Sequence, residues 1–203
     1  MKNYIHILST IIIILLSCNN SQDDIKSSSQ KPTNYAYISC YLTSMDSLKT
    51  TQTKQNNKLA IDISIKGKTE LYSSLDFSRI AYYYGDTTYN NNEWLETNIQ
   101  ILADSIKEIN IYSLENNNPS VRQNKNTNIV YQSYYYFIKS NYNTNINIDN
   151  NCSLEYFNKI NTKLFHSNFS LLINLDPINK NTKSFEIEIK LQSGAICKKT
   201  IEI

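Results

Sequence analysis

Apolar side chains recur at every second position in several separate runs of this chain. Leu59, Ile61, Ile63 and Ile65 alternate with Ala60, Asp62, Ser64 and Lys66, and Phe169, Leu171, Ile173 and Leu175 repeat the pattern. Phe185, Ile187, Ile189 and Leu191 alternate with Glu186, Glu188, Lys190 and Gln192, after which Ser193-Gly194 turns the chain back into Ala195 to Ile203. A period of two is that of a strand with one face buried, and the last pair reads as a C-terminal hairpin. Tyr35 to Leu42 and Ile106 to Leu114 alternate in the same way, and Ile129 to Ile138 reads as a strand with aromatic residues on both faces. Polar Thr43 to Asn57 and Glu115 to Asn128, the latter with Pro119, read as long loops, and Thr69 to Tyr84 as a loop followed by a strand. One segment changes period: Ser153 suits an N-cap, and Leu154, Phe157, Ile160, Leu164 and Phe165 form an apolar stripe at helical spacing. About seven or eight strands with one helix and long Asn-rich loops predict a mainly β chain, an antiparallel Ig-like or related β-sandwich.

The N-terminus breaks this pattern. Lys2 precedes an apolar run from Ile5 to Leu16, short of the roughly 20 residues of a spanning helix. The run ends in Leu15-Leu16-Ser17-Cys18, an aliphatic residue, a small residue before the cleavage point and a thiol after it. Lipoprotein processing needs that order, because the sulfur takes a diacylglyceryl thioether and a peptidase with room for a small side chain cuts before it. Residues 1–17 are therefore expected to be a signal peptide and Cys18 the lipid attachment site. Its acyl chains, palmitate among them, would hold the protein to a membrane at about 0.8 kcal/mol per buried methylene. Residues 18–34 are polar, with Ser27-Ser28-Ser29 and Pro32, and read as a flexible tether. Residues 35–203 read as a single β-rich domain.

Charge narrows the partners. The first 17 residues carry only Lys2 of the 20 basic groups, so residues 18–203 are nearly balanced against 18 acidic groups and offer no electrostatic case for nucleic acid. With three glycines there is no Gly-rich phosphate loop, whereas sixteen tyrosines suit sheet faces that are covered by rings and wetted at the hydroxyl. The Asn excess reads as codon bias.

Candidate chemistry is sparse. His166 is the one histidine beyond the signal peptide, and it falls near the end of the expected helix, as a surface or last-turn residue. No C-x-x-C pair, His cluster or calcium loop is present, so no metal, cofactor or catalytic motif is read. Asp62, Asp76, Asp86, Glu93 and Glu96 would make a hydrolase only by converging in space as a carboxylate pair. Cys40 and Cys197 fall on apolar faces of terminal strands, placed either for a disulfide or as separate buried thiols, with Cys152 left in a loop. The aromatic clusters Tyr82-Tyr83-Tyr84, Trp94 and Tyr134-Tyr135-Tyr136 serve either as core cover or as a platform for sugar rings or peptides. Trp94 and Tyr83 are its ligand-binding candidates.

The run Asn19-Asn20-Ser21-Gln22-Asp23-Asp24 after Cys18, the strand Ala103 to Leu114 and the closing Phe185 to Gly194 strand and turn resemble small lipoproteins of Bacteroidetes-type bacteria, of the domain-of-unknown-function class. That resemblance implies an outer-membrane lipid anchor with the domain on the cell surface, or alternatively on the periplasmic face. It supplies no activity and no site residue. Three functions are carried forward: a non-enzymatic surface binding or accessory module for a glycan, a protein or an envelope complex; a structural envelope lipoprotein; and a carboxylate hydrolase.

Overall fold

In β3 (Lys58–Lys66) the four alternating aliphatics are buried and the residues between them stay wholly or partly exposed, as a half-buried strand requires. The computed structural model describes residues 38–71, 74–86, 99–115, 118–140, 145–178 and 180–203. Tyr35–Ile203 forms one compact unit. Cys18, the 18–34 tether, Trp94, Glu93 and Glu96 lie outside the described residues.

The chain is mainly β and sandwich-like. One five-stranded antiparallel sheet runs in the order β2 (Ser47–Gln55), β3, β10 (Asn168–Asn174), β8 (Thr127–Gln132), β9 (Asp149–Ser153). A four-stranded antiparallel sheet runs β12 (Ile196–Glu202), β11 (Ser184–Leu191), β6 (Ile106–Glu115), β7 (Asn118–Arg122). Ile61, Ile63, Ile129 and Leu171 from the first and Ile109, Ile111, Ile187 and Ile189 from the second belong to one buried cluster, each worth about 1.5–3 kcal/mol on burial. At the sandwich edge Gln52 Nε2 donates to the Glu202 carbonyl at 2.7 Å.

A third sheet sits beside this sandwich, in the order β4 (Thr69–Leu71), β1 (Ile38–Leu42), β5 (Ile99–Leu102), with β1 and β5 parallel. It covers a second core. Tyr41, Ile99 and Ile101 meet Phe77 and Ala81 of helix α1 (Leu75–Tyr84) and Phe137 and Ile138 of helix α2 (Tyr135–Lys139).

Five sequence expectations are corrected. Glu115 to Asn128 is not one loop, since it holds β7, paired antiparallel to β6, and the start of β8. Thr43 to Asn57 is mostly strand: β2 buries only Leu48 and pairs with β3 through its backbone, from Ser47↔Lys66 to Gln55↔Lys58, while Lys49 and Lys54 keep the edge polar. Residues 75–84 form helix α1 rather than a strand. Ser74 Oγ accepts from the Phe77 N–H, Gly85 at φ 76° ends the helix, and Asp86 and Gly85 donate to the Ala81 and Tyr82 carbonyls in a Schellman arrangement. Phe77, Ala81 and Tyr84 recur on one helical face, a signal hidden by the alternation of Ile80, Tyr82 and Tyr84. The expected strand from Ile129 to Ile138 stops at Gln132, because adjacent Phe137 and Ile138 are both buried, which a helix allows and a half-buried strand does not.

The single expected helix, 154–165, is also shorter than its stripe, and it is one of three α-helices among the described residues. Helix α3 covers Leu154–Phe157, with Ser153 Oγ accepting from the Tyr156 N–H. Beyond it Asn158 turns inward to the edge of β6, donating to the Ile109 carbonyl at 2.7 Å and accepting from the Ile109 N–H at 2.9 Å. Residues 162–166 then run between the sheets, where Thr162, Phe165 and His166 bridge Ile106, Ser133 and Ile101. Leu164 takes φ 50°, uncommon for a side chain of its kind.

Candidate functional site

Where β8 gives way to α2, and the sheet edge at β9 gives way to α3, the chain leaves a cleft of about 630 Å³. Its floor is set by the period of β8. Tyr131 points inward, stacked on Phe165 at 5.4 Å and edge-on to Phe157 at 5.0 Å, so that its ring belongs to the main core while the residue still borders the cleft. Cys152, opposite Ile129 on β9, borders it too, as does Thr162, which is 6% exposed and whose Oγ1 has no partner at full hydrogen-bond distance.

The walls are aromatic and amide. Helix α2 supplies Tyr135 and Tyr136, edge-on at 5.3 Å, and α3 supplies Tyr156; Tyr136 is 72% and Tyr156 57% exposed. Asn147 and Asn150 spend half their amides on local backbone: Asn147 Oδ1 accepts from Asp149 N–H and Asn150 Nδ2 donates to the Ile148 carbonyl. The other halves, and the whole side-chain amides of Asn151 and Asn161, have no partner among the described residues. Lys163 lies at the rim, its carbonyl held by Ser133 Oγ at 2.9 Å and its Nζ 5.3 Å from the centre of the Tyr135 ring.

Burial pushes the Cys152 thiol and the Tyr131 phenol up from their ordinary values, so both stay protonated at neutral pH. Lys163 is the one charged side chain among the described lining residues. What the arrangement can do is hold a ligand, with ring faces for an apolar surface and amides for hydroxyls or carbonyls.

Other candidates scatter. Tyr83 is 77% exposed on α1, edge-on to Tyr84 at 5.0 Å, and does not line the cleft. Asp76 pairs with Arg79 at 3.2 Å, Asp62 accepts from Ser170 Oγ at 2.6 Å, and Asp86 is buried behind α1. A shallow depression of about 430 Å³ on the outer face of the five-stranded sheet contains Asp62 and Asp149. These two stand three strands and two residues apart by register, roughly 16 Å between Cα atoms at strand spacing, and each is held by its own neighbour, Asp62 by Ser170 Oγ and Asp149 by Gln132 Nε2. His166 is not in a helical turn. It lies extended beside Ile101, its Nδ1 accepts from the Asn168 N–H at 3.1 Å, and burial lowers its pKa.

The Cys40–Cys197 bridge is not formed. Cys40 lies on β1 of the three-stranded sheet and Cys197 on β12 of the four-stranded one, and they and Cys152 are free thiols. Among the described residues no cluster of three or more His, Cys, Asp or Glu side chains can hold a metal ion, and no helix is long and apolar enough to cross a membrane.

The outer face of the four-stranded sheet is polar but self-paired. Lys190 Nζ reaches Glu188 at 3.0 Å and Glu108 at 3.6 Å, Lys198 reaches Glu186 at 2.9 Å and Glu188 at 3.1 Å, and Arg122 contacts Glu108 and Asn110. Burial works to raise the carboxyls of Glu188 and Glu108. Hydrogen bonds from Lys190, Lys198 and Asn110 to the first, and chiefly from Arg122 to the second, hold both below the usual range.

The sequence singled out Tyr134 to Tyr136 as part of a platform, and Tyr135 and Tyr136 line the cleft; Tyr134 is buried beside it. Tyr156, Asn161, Thr162 and Lys163 were not foreseen. All four fall inside the expected helix, and the local turn that swings the last three into place leaves no periodic signal. Compared with known protein families, with curated proteins and with solved structures, the chain has no match.

Proposed function

We propose that this chain is a membrane-anchored lipoprotein whose β-rich domain is a non-enzymatic saccharide-binding module, with the tyrosine- and asparagine-lined cleft as its site. One observation carries the reading: exposed faces of Tyr136 and Tyr156 stand beside the unpartnered amides of Asn151 and Asn161, around a floor of neutral hydroxyls and a protonated thiol. A pyranose offers a flat C–H face for the rings and a rim of hydroxyls, each donor and acceptor, for the amides. A volume of about 630 Å³ is within the usual range for small-ligand sites.

The anchor in this reading is Cys18, supported by Leu15-Leu16-Ser17 before it and the polar stretch after it. The domain belongs at the outer membrane, on the cell surface, where soluble glycans are met. The Ig-like refinement of the fold is supported by strand order. Sheet order β2-β3-β10-β8 corresponds to A-B-E-D and β12-β11-β6-β7 to G-F-C-C′, with the third sheet contributed by β1 and by the insertion between B and C.

The test is a panel of oligosaccharides titrated into the full chain in mild detergent, with Tyr136→Ala and Tyr156→Ala in parallel. Binding that both variants weaken at unchanged melting temperature is expected; wild-type binding by both rejects the cleft. For the anchor, Cys18→Ala is expected to move the protein from the membrane to the soluble fraction and to abolish incorporation of radiolabelled palmitate.

A further inference from the structure

We infer that the saccharide taken by this cleft is acidic, and that its anionic group is received by Lys163 at the rim. This rests on the saccharide reading and sharpens it.

Two cations share one ring. Lys163 Nζ lies 5.3 Å and Lys139 Nζ 5.9 Å from the centre of the Tyr135 ring. Neither has a carboxylate partner among the described residues, in contrast to Lys68, Lys190 and Lys198, each of which is paired. The ring attracts an ammonium without taking up its N–H donors as a carboxylate would, which leaves those of Lys163 for a ligand in the cleft.

Lys163 is also held in place. Its carbonyl accepts from Ser133 Oγ, and the residues on either side are buried, Thr162 at the cleft floor and Leu164 in the second core. A cation with a fixed backbone loses less entropy on binding than one on a mobile loop. Asp149, the acidic residue of β9, is turned to the outer face of the sheet, where it accepts from Gln132 Nε2 at 2.8 Å. The cleft therefore presents uncompensated positive charge at one end, over the Thr162 hydroxyl and the amides, which is the distribution that a sugar bearing a carboxylate or a sulfate ester complements.

The experiment is calorimetric titration of the full chain in mild detergent with matched probes. Trigalacturonate is compared with its methyl ester, and a sulfated galactan tetrasaccharide with its desulfated form. The charged member of at least one pair is expected to bind about tenfold more tightly than its neutral counterpart, the equivalent of one charge-assisted contact, and to weaken as salt is raised. Lys163→Met should remove that preference, so that charged and neutral members bind alike at an unchanged melting temperature, and Lys163→Arg should restore it. The pair that responds identifies the anion as carboxylate or sulfate. Equal binding of charged and neutral members overturns the acidic specificity and leaves the saccharide reading standing. Failure of every saccharide to bind overturns both.

Discussion

Leu164 and Phe165 are neighbours in sequence and belong to different cores. Leu164 is fully buried with Phe77 and Ile101 under the third sheet, and Phe165 is fully buried with Tyr131, Phe157 and Phe169 inside the sandwich. Leu164's left-handed φ of 50° accompanies this split between successive side chains, and Lys163 before it faces the cleft. One short segment thus joins both cores to the site.

Phe165→Ala removes a ring packed against three others, at 5.4, 5.7 and 5.2 Å, and should cost about 3–5 kcal/mol. Leu164→Ala should cost about 2–5 kcal/mol. Urea unfolding followed by circular dichroism measures both. A loss below about 1 kcal/mol for Phe165→Ala would contradict the packing described.

The edge of β6 is closed by side chains in place of a strand. Asn158 answers both the N–H and the carbonyl of Ile109, and Asn124 Oδ1 accepts from the Ile111 N–H at 3.0 Å. Asn158→Ala leaves the Ile109 N–H without its partner and the Ile109 carbonyl with only the Asn124 amide at 3.3 Å, and is expected to destabilise by about 1–3 kcal/mol. Asn158→Asp keeps the acceptor but sets a carboxylate against the Ile109 carbonyl, so it should not recover the loss.

Acid should weaken the fold through Glu188 and Glu108. Their carboxyls are held below the ordinary range in the folded chain, so the stability they add is present above the unfolded pKa of about 4.3. It is lost as the pH falls through their lowered folded values. Glu188→Gln should lower the melting temperature at pH 7 and flatten its fall between about pH 4.5 and pH 2. An unchanged acid slope would show that the ladder of Lys190 and Lys198 does not hold this carboxylate in solution.

The three described thiols should remain unbridged and slow to react. Burial raises the pKa of each, and Cys40, only 4% exposed, is the most enclosed. Iodoacetamide at pH 7 is expected to modify Cys152 and Cys197 slowly and Cys40 only on unfolding, read by mass spectrometry of tryptic peptides. A Cys40–Cys197 crosslinked peptide under non-reducing conditions would contradict the strand placement.

The strands that bury one face declared themselves in the sequence: β3, β10, β11 and the inward Ile109 and Ile111 of β6 all keep a period of two. β2 did not, because an edge strand with a single core contact, Leu48, looks like a loop. Helix α1 was masked because Ile80, Tyr82 and Tyr84 also fit a strand, although the capping residues Ser74 and Gly85 were there to be read. The stripe from Leu154 to Phe165 reads as one helix because helical and irregular burial of the same residues give the same pattern over so short a span. The Asn residues that close β6 and line the cleft were attributed to composition, because a side-chain amide that replaces a strand or waits for a ligand has no periodic signature.

Alkylation of Cys152 with and without a bound oligosaccharide tests the cleft most directly, since this thiol lies among the lining residues while Cys197 sits on the opposite sheet. A saturating saccharide is predicted to slow modification of Cys152 several-fold in the wild-type chain, to leave Cys197 unchanged, and to lose its protective effect in Tyr136→Ala. A saccharide that binds while Cys152 reacts at its unliganded rate would contradict the account and move the site elsewhere on the molecule.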